Sequence, residues 1–350
     1  MKYLIICMLL LAQTGPVFAQ RITQRDNMCT ICERVNRFDE LVARTSEAFW
    51  PGFNHPDYKV PLFYFTQRYT YMFFAPPKLL KRFDGEKAEC TNGLKLYKVK
   101  RIDSIPFHMS NQTDIEDDLS PYYRNPVMFC SDVAAAMKQV PDITNTEEWA
   151  AIVLHEYFHG FQLKHDVIMD YLADNLKAGA DTLIQLYRQN EWFKIAVGEE
   201  NELLLQAIQT ASADDARTLA RTYLEKRKSR RERFKAETKY DIGSREDFWE
   251  KLEGTARYVE YNLAYVYMGS AAPRRSCDSN FNSFTTYKKP GFESMAWMHD
   301  KTTIMPAYYY VTGFNLCRLM DKLKIAYKEG LFDRSTSLAV ILERGLAASK

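Results

Sequence analysis

The fragment His155-Glu156-Tyr157-Phe158-His159 restricts this chain more than any other stretch of it. It lies in "NTEEWAAIVLHEYFHGFQ", where Ala150, Val153, Leu154, Tyr157, Phe158 and Phe161 spread apolar side chains around most of a helix. A helix apolar on nearly every side has to be buried, and Asn145-Thr-Glu-Glu148 ahead of it has the form of a capping box. Burial makes demands on the polar residues inside: two imidazoles and a carboxylate without partners are costly in an apolar interior. Positions i and i+4 share a helix face, about 40° apart. His155 and His159 can therefore converge on one Zn²⁺, and Glu156 can take a proton from a water activated there. The rest of the chain must supply a third ligand and a group to stabilise developing charge, which points towards a metal-dependent hydrolase.

The first residues read as a secretory signal. Lys2 gives a positive start, Tyr3–Ala12 is apolar but short for a bilayer, and Val17-Phe18-Ala19 suits cleavage before Gln20. No later run is long and uncharged enough to span a membrane, because Gln67 and Arg68 interrupt the apolar stretch from Val60 to Pro77. A secreted or periplasmic protein is expected. Lys and Arg number 47 against 45 Asp and Glu, a balance that argues against a nucleic-acid groove. The basic run Glu225–Arg233 reads as a solvated helix face. Six cysteines remain beyond Cys7, namely Cys29, Cys32, Cys90, Cys130, Cys277 and Cys317, and can pair in an exported chain. Cys29-Thr-Ile-Cys32 lacks a preceding strand, so a structural disulfide role is expected over redox chemistry. Asn111-Gln-Thr113 is a glycosylation sequon if the source is a eukaryote.

Along the chain, residues 20–50 are helical and charged, and 58–101 are β-rich, with "VPLFYFTQRYTYMFF" and "LKLYKVKRI" rich in aromatic and branched residues. Residues 104–124 read as loop and Asn125–Cys130 as a short strand. Residues 166–239 are almost wholly helix-forming, without proline and with two glycines. Residues 269–300 are loop-like, and "YYYVTGFNLCRLMDKLKIAYKEG" and "LAVILERGLAAS" read as C-terminal helices. The expected organisation is a signal at 1–19, a β-rich part at 20–140, and a helical catalytic domain at 141–350 with a helical insertion at about 166–240.

Two residues compete for third ligand. His165 stands ten positions after His155, where metzincins place a third histidine, but Gln162 occupies the position at which that turn needs glycine. The other is Glu253. The string Glu253-Gly254-Thr255-Ala256-Arg257-Tyr258-Val259-Glu260 resembles the EGxAxYxE segment of gluzincins, closest to the alanyl and glycyl aminopeptidase group. Tyr310-Val311-Thr312-Gly313 resembles the YxxG segment of the same family. The GxMEN segment of the aminopeptidases is absent, and 94 positions separate His159 from Glu253. The resemblance implies an α+β, mainly helical zincin fold in which His155, His159 and Glu253 hold Zn²⁺. It further implies that Glu260 supports a ligand histidine, Glu156 is the general base and Tyr310 stabilises the oxyanion. The expected activity is hydrolysis of peptides, with an extended substrate adding as a strand beside Val127–Cys130. A zincin-fold scaffold with catalysis lost, or a zinc hydrolase acting on something other than peptides, would carry the same motifs.

Overall fold

The computed structural model describes residues 4–6, 27–175, 181–268, 276–282, 291–296, 307–332 and 336–348. The class is α+β: one mixed sheet among many helices. Apart from Leu4–Ile6, the expected signal segment lies outside the described residues, as does most of the loop-like stretch 269–300. Backbone contacts divide the chain into two units, residues 1–169 with 262–289, and residues 170–261 with 290–350.

The first unit is built on the sheet. Its strands are β1 (Leu62–Phe65), β2 (Tyr69–Phe73), β3 (Gly85–Glu89), β4 (Lys95–Lys100), β5 (Met109–Thr113) and β6 (Val127–Ser131). They lie in the order β5-β6-β1-β2-β4-β3, and the tripeptide Leu4–Ile6 pairs antiparallel on the outer side of β5. Among the described strands only β1 and β6 run parallel. Those two strands are buried along their whole length, as parallel neighbours covered on both faces should be. Phe63 and Phe65 join Met72, Val99, Val127 and Phe129 in a cluster on one face. Tyr64, pointing the other way, meets Trp149 edge-on with ring centroids 5.9 Å apart. Strand β5 falls inside the stretch expected to be loop, because "MSNQT" carries no hydrophobic alternation to announce it. Its position also corrects the expected substrate strand: β6 is paired on both sides, so β5 is the strand nearer the edge.

Two disulfides bind this unit. The helix Met28–Ala48 carries both cysteines of the CxxC, but they do not join each other: Cys29 pairs with Cys277 and Cys32 with Cys90. Cys130 and Cys317 are unpaired and buried. Disulfides of this kind are consistent with an extracellular protein, and no described helix is long and apolar enough to cross a membrane.

The second unit is helical. Helices Glu191–Gln209 and Ala213–Thr238 pack together, and Tyr308–Lys322 packs against the first of them. The basic run departs from the expected solvated face. Arg227 and Arg230 are buried, and each grips carboxylates from other segments. Arg227 forks onto Glu250 at 2.8 and 2.6 Å, while Arg230 binds Glu200 at 2.7 Å and Glu246 at 2.8 Å. Arg231 reaches Glu246 and Asp247, each at 2.7 Å. Against the upward pull of burial, Arg230, Arg231 and Arg227 hold the Glu246 carboxyl below its ordinary range. Arg227 and Arg230, three residues apart and so on one face of this helix, thus point inward, where an uncharged partner would leave each unpaired. The helix expected to run to about Gly330 ends earlier, at Lys322, with Lys324 at φ +57°.

Candidate metal centre

The HExxH helix spans Thr146–Leu163 and is anchored at both ends. Asn145 caps it by accepting the Glu148 N–H at 2.9 Å. The Glu148 carboxylate reaches back to the N–H of Thr144 at 2.6 Å, one residue beyond the reciprocal bond of a capping box. Thr146 donates its hydroxyl to Asp278 at 2.7 Å, and Arg34 clasps the same carboxylate with two bonds of 2.9 and 2.7 Å. Cys277, next to that aspartate, is the residue held by the disulfide to Cys29. The first turn of the helix is therefore clamped by a charge pair and a covalent tie.

Further along, the helix is fixed to the sheet. Trp149 donates to the carbonyl of Ser131 at 3.0 Å, and the Tyr157 hydroxyl donates to the carbonyl of Val60 at 2.9 Å. Phe158 is boxed by Trp50 and Phe53 at 4.9 and 5.1 Å between ring centroids. Asn111, on β5, donates its side-chain amide to the carbonyl of Glu156. This close approach requires the glycine that follows the motif: a Cβ on Gly160 would stand 2.6 Å from Asn111 Oδ1 and 3.0 Å from Val60. The sequon asparagine is fully buried in this contact, so its role in the folded chain is to hold the helix and not to carry a glycan.

His155 and His159 leave this helix with their rings nearly perpendicular, centroids 4.8 Å apart, and their Nε2 atoms 3.1 Å apart. Nδ1 of His159 lies 2.7 Å from Oε1 of Gln162. Both rings and Glu156 are about 98 % or more buried.

Glu253 is delivered differently. It sits in a π-helical turn, Glu250–Gly254, that leads into the helix Thr255–Met268; such turns recur at functional sites because they turn a side chain out of the regular helical register. The turn crosses Tyr308–Lys322 at backbone contact. A Cβ on Gly254 would stand 2.4 Å from the Gly313 Cα, and one on Gly313 would stand 2.5 Å from the carbonyl oxygen of Glu250. The two motif glycines, 59 positions apart in the sequence, are thus one crossing point. Glu253 precedes one and Tyr310 lies a turn before the other, so the crossing sets the phenol beside the carboxylate, to which it hydrogen-bonds. Burial, with the Glu253 charge adding to it, holds the Tyr310 phenol well above its ordinary value, so it remains a donor. Arg257 lies over the Tyr310 ring at 5.2 Å and donates to Glu260 at 2.7 Å.

His155, His159 and Glu253 are brought together: each offers a ligand atom, and these atoms lie within 4.8 Å of one another. Ligands about 2.05 Å from a tetrahedral metal are about 3.3 Å apart, so two Nε2 atoms at 3.1 Å and a carboxylate close by fit one ion. Two bare ring nitrogens facing each other at that distance repel unless a cation or a proton lies between them. His165 belongs to a different cluster, stacked on Tyr58 at 4.6 Å and edge-on to Phe161 at 5.1 Å, where burial lowers its pKa to about 4. The helix continues through Gln162 to Leu163, so the chain turns at Lys164 and His165 and not at position 162, where a third histidine at this spacing needs it to. The chain matches no protein-family model, no curated protein and no solved structure.

Sequence reasoning read Asn111 only as part of a sequon and Arg257 only as a letter of the EGxAxYxE string, and it gave Gly160 no role. The glycines of the EGxAxYxE and YxxG segments were visible as letters, but nothing in the linear sequence says that they touch.

Proposed function

We propose that this chain is an exported zinc-dependent peptidase with a gluzincin-like zincin core. His155, His159 and Glu253 would hold the ion. The observation that carries this reading is the meeting of two imidazole nitrogens and one carboxylate across 94 positions of chain. Two nitrogens and one oxygen suit Zn²⁺ and leave a position for water. When bound, the ion supplies Lewis acidity, which lowers the pKa of water and polarises a carbonyl.

The chain's own residues divide the remaining work. Glu156 accepts the proton of the attacking water and delivers it to the leaving amine. The Tyr310 hydroxyl, kept protonated, donates to the oxyanion that forms at the scissile carbonyl. Arg257 offsets the charge of Glu260 and Glu253, so that the buried carboxylates need not take up protons. The β5 edge, against which the HExxH helix rests through Asn111, would take an extended peptide as an added strand, in place of Leu4–Ile6 once a signal segment is removed after Ala19.

Metal analysis combined with hydrolysis of a peptide library tests this reading. The wild-type chain is expected to hold zinc and cleave. Glu156→Gln should keep zinc and lose cleavage, and Glu253→Ala should lose zinc while His165→Ala keeps it. Zinc without cleavage of any peptide would favour a scaffold or a non-peptide hydrolase. Loss of zinc only in His165→Ala would overturn the ligand set.

A further inference from the structure

Gln162 enters the sequence argument only as the residue that is not a metzincin glycine. The geometry points to a positive role: we propose that Gln162 is the positioning residue that makes His159 a metal ligand, by holding the ring with Nδ1 protonated and Nε2 bare. The inference rests on the reading of His155, His159 and Glu253 as a metal centre.

Three observations converge on it. First, a neutral imidazole carries a single N–H. The Gln162 side-chain oxygen can only accept, so the 2.7 Å contact puts that proton on Nδ1. The lone pair is then on Nε2, the atom that stands 3.1 Å from Nε2 of His155. Second, the helical backbone makes the contact possible. Side chains on a helix lean towards its N-terminus, over the turn before their own Cα, so a residue three places after His159 folds back onto its ring. That holds only while the helix continues, and it does so through Leu163. A glycine at 162 would supply neither the acceptor nor the continued turn. Third, Gln162 is fully buried. A lone rotating acceptor at the surface would exchange with water, whereas a buried one has a fixed direction and a cost if its hydrogen bond is broken.

The choice of an amide has a further consequence. Metal-ligating histidines commonly donate their second nitrogen to a carboxylate or a carbonyl. The neutral carbonyl of Gln162 orients the ring without adding a negative charge to the helix that already buries Glu156.

The test uses the full chain with two readouts, neither of which is hydrolysis. Selective ¹⁵N-histidine labelling of the metal-free protein, with the His159 signal assigned by its loss in His159→Asn, reads the tautomer directly. The expected result is Nδ1–H in the wild-type chain. Competition against a chelator then gives zinc affinity. Gln162→Met, which keeps length but removes the acceptor, should weaken zinc binding by about 10- to 100-fold. Gln162→Glu, which restores an acceptor, should bring binding back to within a few fold of wild type. An Nε2–H tautomer in the wild-type chain overturns the proposal, as does wild-type zinc affinity in Gln162→Met. The tautomer readout needs no variant at position 162 to fold. If the wild-type chain bound no zinc, the metal reading would fail, and the tautomer would still report on Gln162 separately.

Discussion

Replacing Gly254 by alanine adds one carbon atom at the point where the Glu253 turn crosses the helix Tyr308–Lys322. That Cβ would lie 2.4 Å from the Cα of Gly313, 2.5 Å from its carbonyl carbon and 2.8 Å from the nitrogen of Phe314. Carbon atoms pack best at about 3.5–4.0 Å, so the shortfall is roughly 1.1 Å or more. All three neighbours are backbone atoms, and no rotamer change can relieve the contact. The two segments must separate. Alanine also brings a gain, since it is a better helix former than glycine by about 0.8–1 kcal/mol. Overpacking of a buried contact costs about 1–3 kcal/mol, and a clash with rigid backbone belongs at the upper end, so the net effect is destabilising by about 2 kcal/mol. For a folded unit of this size that lowers Tm by about 4–8 °C. Separation also draws Glu253 from the position where its oxygen meets the two imidazoles, so zinc affinity should fall about tenfold or more. Calorimetry of the metal-free chain and chelator competition measure the two effects. An unchanged or raised Tm together with wild-type zinc affinity would refute the idea that this crossing sets the ligand.

Three further outcomes are expected. Tyr310→Phe should retain zinc and lower kcat by about 10²- to 10³-fold, the loss typical of one oxyanion donor; kcat within threefold of wild type would remove Tyr310 from the mechanism. Arg230→Met would strip Glu200 of its ion pair, leave Glu246 with Arg231 as its remaining arginine, and cost about 3–5 kcal/mol in urea unfolding. Lys228→Met, on the exposed side of the same helix, should stay within about 0.5 kcal/mol, and equal effects would contradict the inward and outward division of that run. Burial lowers the His165 pKa from 6.5 to about 4, so the unfolded chain binds a proton that the folded ring refuses. This contribution to stability is complete above about pH 6.5 and is lost as pH falls towards 4. His165→Phe should flatten that part of the pH–stability curve, and an unaltered slope would show that the ring titrates normally.

Local patterns were legible wherever one segment carried its own signal. The HExxH helix, its Asn145 cap, the apolar strands β1, β2 and β6 and the helical stretch after Asp166 follow from side-chain periodicity and capping chemistry, which act over a few residues. Strand β5 was not legible, because its sequence is polar and small and its strand state comes from pairing with β6. The solvated reading of the Glu225–Arg233 run failed in part for a similar reason: the carboxylates that draw Arg227 and Arg230 inward lie on other helices.

By itself, then, the sequence determined that two histidines share one face of a buried helix, since a spacing of four is a property of the helix alone. The tertiary structure decided which carboxylate joins them in a group that could hold a metal ion. Only folding brings Glu253 to those histidines across 94 positions, and only folding turns two distant glycines into one crossing that sets Tyr310 beside it. The same is true of the partners of Cys29 and Cys32 and of the contact that holds Asn111 on the helix. Each of these joins residues far apart in the chain, and such contacts depend on the shape of the whole core, not on any local preference.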